Sequence, residues 1–142
     1  MKTIILYIAM TFGVLLGVNT LFAQEAVKGP QISFEKEVYD FGKLEYNGDG
    51  RCQFVFKNTG NEPLWISQVQ GSCACAIAEW PKEPILPGKK SKIIIRYDTR
   101  RVGPTTKAFT VTSNAVNGPR VLKIIGEVQP PKEDPFDSTP TN

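Results

Sequence analysis

The sequence predicts an all-β fold, an antiparallel β-sandwich of about seven strands. From Gln31 onward, short segments of alternating apolar and polar residues are separated by turn signals rich in Gly, Pro and Asn. No segment shows the apolar period of an amphipathic helix. The length of 142 residues suits one domain with additional termini.

The first 23 residues are typical of a secretory signal peptide. Lys2 is followed by an apolar run from Ile4 to about Val18, and the small residue Ala23 stands at the expected cleavage point. The run is shorter than the about 20 apolar residues that span a bilayer. We predict cleavage after Ala23, with an uncleaved anchor as the alternative. The protein is therefore expected to be exported, either to the periplasm or to the cell surface or medium.

The strands follow one another between clear turn signals. Residues 24–30 are expected to be a flexible N-terminus, residues 31–129 the sandwich domain, and residues 130–142 a disordered, proline-rich tail. The predicted strand segments read ISFEKEVYDFGKL, which gives one or two strands, RCQFVFKN, LWISQVQGSCACA, SKIIIRYDT, TTKAFTVTSN and VLKIIGEV. The segment EWPKEPILPGKK is expected to be irregular, because three closely spaced prolines cannot join a central strand. The alternation predicts a core formed by Phe54, Phe56, Leu64, Ile66, Ile93, Ile95, Phe109, Val111, Leu122 and Ile124.

Charge and composition exclude several functions. The formal net charge is +3 and falls to +2 when Lys2 leaves with the signal peptide, which is too small to predict binding to nucleic acid or to an anionic surface. The chain has no histidine, so Ser-His-Asp and Cys-His catalysis and imidazole metal ligation are excluded. The acidic residues show no paired spacing. We expect no catalytic residues, no cofactor and no enzyme activity.

Four segments in the same order carry a resemblance to a known family. They are YDFGKLEYNG, FKNTGNEPLWISQVQGSCAC, PILPGKKSKIIIRYDT and VTSNAVNGPRVLKIIGEV. Together they resemble domain of unknown function 1573, a group of exported bacterial domains similar to the Ig-like domains of abnormal-spindle and hydin proteins. The resemblance covers about residues 32 to 128. It implies an Ig-like sandwich outside the cytoplasm, with no assigned activity. Ala74 and Ala76 stand where the family pattern has glycine and threonine.

The three cysteines, Cys52, Cys73 and Cys75, allow three interpretations. Cys73 and Cys75 would share one face of an extended strand, which suits a soft metal such as Cu(I) or Zn, although a structural zinc site needs four ligands. A redox dithiol is a second alternative, but the spacing differs from the usual Cys-X-X-Cys. We favour a structural disulfide from Cys52 to Cys73 or Cys75, since the turn near Gly60 brings both strand ends to one pole.

Two surface features remain. Trp65 has the opposite parity to Leu64 and Ile66, so Trp65 and Trp80 are candidates for a partner surface, with packing under the irregular segment as the alternative. A basic run contains Lys89, Lys90 and Lys92, with Arg96, Arg100 and Arg101 nearby, and we interpret it as edge-strand charge that prevents aggregation. The predicted function is a non-catalytic interaction or structural module whose partner is another exported or envelope protein. The alternative is soft-metal binding or thiol redox chemistry at Cys73 and Cys75.

Overall fold

A computed structural model describes residues 28–132, which form eight β-strands and no helix. The strands are β1 (Ile32–Phe34), β2 (Val38–Leu44), β3 (Arg51–Asn58), β4 (Ile66–Gly71), β5 (Ala76–Glu79), β6 (Lys90–Tyr97), β7 (Gly103–Ser113) and β8 (Arg120–Val128). The predicted signal peptide lies outside the described residues, as does all but the start of the predicted tail.

Two four-stranded sheets face each other across one core. The front sheet has the order β1-β3-β6-β5, and the back sheet has the order β2-β8-β7-β4. This arrangement confirms the predicted all-β sandwich. It differs in one pairing, because β2 lies parallel to β8 rather than antiparallel. After β1 the chain crosses from the front sheet to the back sheet, so that β2 enters beside the last strand and runs in the same direction.

The core consists of alternate residues of the facing strands. All ten apolar residues predicted for it are buried, and Phe56, Leu64, Ile93, Ile95, Leu122 and Ile124 are completely inaccessible. Ile32 and Val128 extend the core to the first and last strands. Each large apolar side chain contributes roughly 1.5–3 kcal/mol of burial free energy before conformational entropy is subtracted. Because alternate residues of these strands point into the core, the remaining residues lie on the outer faces of the two sheets.

The start of the domain is more ordered than the sequence suggests. Gly29 and Pro30 fall in the segment expected to be flexible, but both are buried. The Gly29 N–H donates to Asn61 Oδ1 at 2.7 Å, and the Gly29 C=O accepts the Asn61 N–H at 3.1 Å. Gly60 lies so close to the Gly29 carbonyl that a Cβ atom there would overlap it. The turn after β3 therefore holds the entry to β1.

The segment from Leu64 to Ala76 is not one strand. β4 ends at Gly71 in the back sheet, the chain turns over residues 72–75, and β5 begins at Ala76 in the front sheet. Leu64 instead forms an isolated bridge with Ile85, the one pairing within the proline-rich segment among the described residues. The alternation of apolar residues continues through the turn, so periodicity alone did not reveal the change of sheet.

The basic run lies on a strand that is only half covered on one side. Lys90, Lys92 and Arg96 belong to β6, which pairs with β3 over residues 90–96 but with β5 only over residues 94–97. No described strand lies beside Lys90 and Lys92 on the β5 side, whereas Arg96 lies opposite Ile77 of β5. Edge-strand charge therefore remains a prediction for Lys90 and Lys92 and does not hold for Arg96.

Candidate interaction surface and cysteine turn

The crossing from the back sheet to the front sheet brings two cysteines together. Cys73 and Cys75 lie in the turn over residues 72–75, with their Cα atoms 5.3 Å apart and their sulfur atoms against each other. The Cys75 N–H also points to the Cys73 sulfur at 3.3 Å. The Ser72 N–H donates to the Ala108 C=O at 2.9 Å, and the Asp98 N–H donates to the Cys75 C=O at 2.9 Å. Both sides of the turn are thus fixed to neighbouring elements.

Cys52 does not take part in this pair. It is a free thiol in β3, 4% exposed, within the core between the sheets. Burial raises the pKa of the Cys52 thiol to about 12, and a hydrogen bond with the Ile95 backbone offsets this only slightly. Our expected bridge from Cys52 to Cys73 or Cys75 is not formed in the structure. The reason is the turn at Ala74, which lets the sulfur of Cys73 reach that of Cys75 instead.

The cysteine turn offers few ligands to a metal ion. Within residues 28–132 no group of three or more Cys, Asp or Glu side chains is placed to hold one. A tetrahedral zinc site needs four protein ligands, or three and a water molecule. Two sulfurs alone do not fit Zn, and the remaining metal candidate is a two-coordinate soft ion such as Cu(I).

The two tryptophans have different environments. Trp65 precedes β4 and is 48% exposed, whereas Trp80 follows β5 and packs against the core. The Trp65 N–H donates to Asn114 Oδ1 at 2.8 Å, so the backbone that carries the exposed ring is held firmly. Lys82 Nζ lies 3.3 Å from the centre of the Trp80 ring. Trp65 is thus available to a partner, while much of Trp80 is used internally.

The edge of β3 that faces β1 is only half covered. Gly50 and Asn58 direct their backbone groups toward β6, since the Gly50 C=O accepts the Tyr97 N–H and the Asn58 N–H donates to the Lys89 C=O, both at 2.9 Å. Because the β3–β6 register is unbroken, the odd-numbered residues of β3 direct their backbone N–H and C=O groups away from β6, to the side on which β1 lies. There the Glu35 N–H donates to the Val55 C=O at 3.0 Å.

Beyond Glu35 the chain leaves for the back sheet, and the rest of this edge has no strand beside it. The Arg51 N–H donates to Asp49 Oδ1 at 2.9 Å, a local side-chain acceptor in place of a neighbouring strand. The N–H and C=O of Gln53 point to the open side, where no described strand pairs with them. Two to three residues of β3 therefore present unpaired backbone.

A groove follows this open edge. It has a volume of about 520 Å³ and is lined by Glu35, Lys36, Val38, Tyr39, Asp40, Gln53, Phe54 and Val55. A second cavity of about 300 Å³ continues past Tyr39 to Asp49 and Arg51. The Tyr39 ring packs edge-on to Phe54 with 6.4 Å between ring centres, which gives the groove an aromatic wall. Unpaired backbone and apolar wall thus lie side by side.

Our sequence analysis did not identify this edge, because β1 has only three residues and nothing in its composition shows where it stops. The available signal was Glu35-Lys36-Glu37, three adjacent charges that interrupt the alternation before Val38. Such an interruption is what a change of sheet requires, since these side chains then stay in contact with solvent.

The sequence was compared with known protein families and structures. The model of the family described as protein of unknown function DUF1573 matches residues 32–128, most of the chain and all eight strands. The chain belongs to this family. The match confirms the resemblance drawn from the sequence motifs. No curated protein matches the chain.

Solved structures with this fold include a protein of unknown function and PapD-like domains. A protein of unknown function from Porphyromonas gingivalis W83 superposes with a TM-score of 0.64 and 18% identity, covering 76% of this chain. This chain spans about half, 51%, of that protein. The PapD-like domain 7 of human CEP192 gives a TM-score of 0.60 with 10% identity over 72% of this chain and 87% of that one.

The YadV chaperone gives a TM-score of 0.53 with 15% identity, over 74% of this chain and 55% of that one. At these identities the comparisons establish the fold alone, an Ig-like, PapD-like sandwich. Within the described residues no helix is long and apolar enough to cross a membrane.

Proposed function

We propose that this DUF1573 protein is an exported, non-catalytic interaction module that binds an extended segment of another envelope protein. The segment would add as a strand to β3 beside Gln53 and continue the line of β1 where β1 stops. The observation that carries this proposal is the unpaired backbone of β3 next to an aromatic-walled groove. The apolar run of the first 23 residues supports export.

Strand addition matches the chemistry of this edge. The main-chain groups of Gln53 supply hydrogen bonds that any extended peptide can satisfy, and the groove supplies selectivity for alternate side chains. A side chain that enters beside Tyr39 and Phe54 meets aromatic carbon, so large apolar residues at every second position are favoured. The rim of the groove carries charges of both signs, including Glu35, Lys36 and Asp40. The groove therefore favours neither an acidic nor a basic peptide.

The test is to block the edge without disturbing the sheet. In Gln53→Pro the N–H that points to the open side is removed and the ring fills its place, while the β3–β6 ladder keeps its bonds. The purified domain would be screened against a library of extended peptides with apolar residues at alternate positions. We expect binders whose affinity falls at least tenfold in Gln53→Pro.

Gln53→Ala is the matched control, because it changes the side chain and keeps the N–H. It should bind as the wild type does, and bound peptide should slow hydrogen exchange at the Gln53 amide. Undiminished binding to a folded Gln53→Pro variant contradicts the proposal, as does a library without any binder. If Trp65→Ser abolishes binding and Gln53→Pro does not, the partner surface is at Trp65 instead.

A second candidate function rests on the adjacent sulfurs of the cysteine turn. Cys73 is half-buried and therefore reachable, and it touches the sulfur of Cys75. The two thiols could exchange electrons with a partner protein: the partner disulfide is reduced to two thiols while Cys73 and Cys75 lose two protons and two electrons to form a disulfide.

The measurement for this candidate is the redox equilibrium of the pair in glutathione buffers, read by alkylation and peptide mass. A reversible two-thiol change within the range of known exchange proteins supports it. Thiols that stay in one state throughout contradict it. Cu(I) titration of the reduced protein, with Cys73→Ser as the control, decides whether the same turn holds a soft metal.

A further inference from the structure

The outer face of the front sheet concentrates positive charge. Strand parity places on this face Arg51, Lys57, Lys90, Lys92 and Arg96, against a single acid, Glu79. Arg96 pairs with Glu79 at 3.2 Å, and Lys90 reaches Glu35 at the sheet edge at 2.6 Å. Arg51, Lys57 and Lys92 form no salt bridge with another described residue. The excess on this face is four positive charges, more than the whole mature chain carries.

The register opposes like charges directly. Arg51 lies opposite Arg96, and Lys57 lies opposite Lys90. Residues directly opposed in antiparallel strands have Cβ atoms about 5 Å apart, and like charges there destabilise the sheet. The two pairs stand about 20 Å apart along the strands, at about 3.3 Å per residue. Both pairs therefore concentrate like charge on the outer face of the front sheet.

The back sheet provides the comparison. Its outer face carries charges of both signs in equal number, Asp40, Lys43, Lys123 and Glu127, beside uncharged residues such as Thr106, Thr110, Thr112 and Gln70. The described acidic residues lie in loops, on the edge strands β2 and β5, and at Glu127 of β8, and they form no acidic face that a second copy of the chain could present. Charge complementarity therefore points to an anionic partner other than the chain itself.

We propose that the outer face of the front sheet docks on the surface of an anionic lipid bilayer. The cations stand on the outer face of the neighbouring strands β3 and β6 over about 20 Å of strand length, which suits an extended surface as the partner. Apolar side chains lie among them: Ile77, beside Arg96, is 67% exposed, and Ile94 and Val55 are half-buried. Basic residues around exposed apolar ones fit the headgroup boundary of such a bilayer.

This docking surface borders the groove beside Gln53, and Arg51 and Val55 belong to both. The other cations of the face, Lys57, Lys90, Lys92 and Arg96, do not line the groove. The inference can be tested apart from the strand-addition proposal, because its variants change only residues outside the groove.

The test is co-flotation of the mature protein with vesicles of phosphatidylcholine alone and with vesicles that also contain phosphatidylglycerol. The variant Lys57→Gln/Lys92→Gln removes two cations from the face that are in no described salt bridge. The control Lys43→Gln/Lys123→Gln removes two exposed cations from β2 and β8 and leaves the same net charge. We expect binding to the anionic vesicles only, falling roughly 20-fold in the first variant and less than about threefold in the control.

Ile77→Ser should weaken binding further, whereas Val121→Ser, an exposed position on the back sheet, should not. Equal losses in the two double variants would overturn the proposal, since net charge alone would then explain binding. Absence of wild-type binding to anionic vesicles at low salt would also overturn it. If poly-glutamate binds the wild type more tightly than vesicles of equal anion concentration do, the partner is an acidic protein and the lipid proposal is wrong.

Discussion

Asn58 shows how one buried polar side chain can organise a loop. Its side chain is completely inaccessible to solvent. It continues the inward parity of Cys52, Phe54 and Phe56 in β3, but because it is polar the sequence pattern did not predict its burial. Its Nδ2 donates to the Glu62 C=O at 2.7 Å and to the Ile85 C=O at 2.8 Å, and its Oδ1 accepts the Gly60 N–H at 3.0 Å. The side chain therefore links the turn after β3 to the proline-rich segment.

Replacing Asn58 should be costly. Asn58→Ala removes a donor from the Glu62 and Ile85 carbonyls and the acceptor of the Gly60 N–H, and it empties a fully buried position, so we expect the free energy of unfolding to fall by about 3 kcal/mol. Urea denaturation followed by circular dichroism measures it. Thr59→Ala, one residue further and exposed, is the control and should change stability by less than about 0.5 kcal/mol. A loss below about 1 kcal/mol in Asn58→Ala would show that water replaces the amide.

The buried Cys52 thiol makes the free energy of unfolding depend on pH in the alkaline range. Its pKa is about 12 in the folded protein against the ordinary 9.0, so the folded state holds the proton more tightly than the unfolded state. The stabilisation is complete below pH 9 and is lost as the pH rises from 9 toward 12. Between pH 8.5 and 10.5 the wild type should lose about 2 kcal/mol more than Cys52→Ala. Parallel pH slopes for the two proteins in denaturant titrations would contradict the buried, protonated thiol.

Among the elements, β3 and β6 bury apolar side chains on their inner face and carry directly opposed cations on their outer face. Their inward residues form the centre of the core, while Lys57 and Lys90 face each other in solvent. Reversing one charge should remove the repulsion, so we expect Lys57→Glu to raise the free energy of unfolding by about 0.5 kcal/mol. Lys123→Glu on β8, whose neighbours are Val38 and Ala108, should give no gain. A destabilised Lys57→Glu protein would show that the opposed lysines are not under strain.

The strands were predictable because burial of one face imposes a period of two on the sequence. Phe54 and Phe56 in β3 and Ile93 and Ile95 in β6 follow that period, and all four are buried. The change of sheet at Cys73 was not predictable, because Ser72 to Cys75 contain neither glycine nor proline and continue the alternation. The free edge beside Gln53 was also hidden, since it depends on where a distant strand ends. Both features are set by tertiary pairing rather than by local propensity.

At the scale of the whole molecule, the two sheets carry different chemistry on their outer faces. Equal numbers of strands enclose one core, yet the front face bears the opposed cations, whereas the back face carries balanced charges among threonine, glutamine and aliphatic residues. A net charge of +3 for the whole chain conceals this separation, because acidic residues in loops offset the cations of one face. Charge therefore has to be evaluated by face, which requires the register of the strands.

The parallel pairing of β2 with β8 has a mechanical consequence. These strands lie near the two ends of the described domain and run side by side in one direction, held by contacts such as Lys123 N–H to Glu37 C=O at 2.8 Å and Gln129 N–H to Leu44 C=O at 2.7 Å. A force that pulls the termini apart would slide the two strands along each other. All their hydrogen bonds would then bear the load together instead of opening one after another. The domain is built to resist tension between its ends.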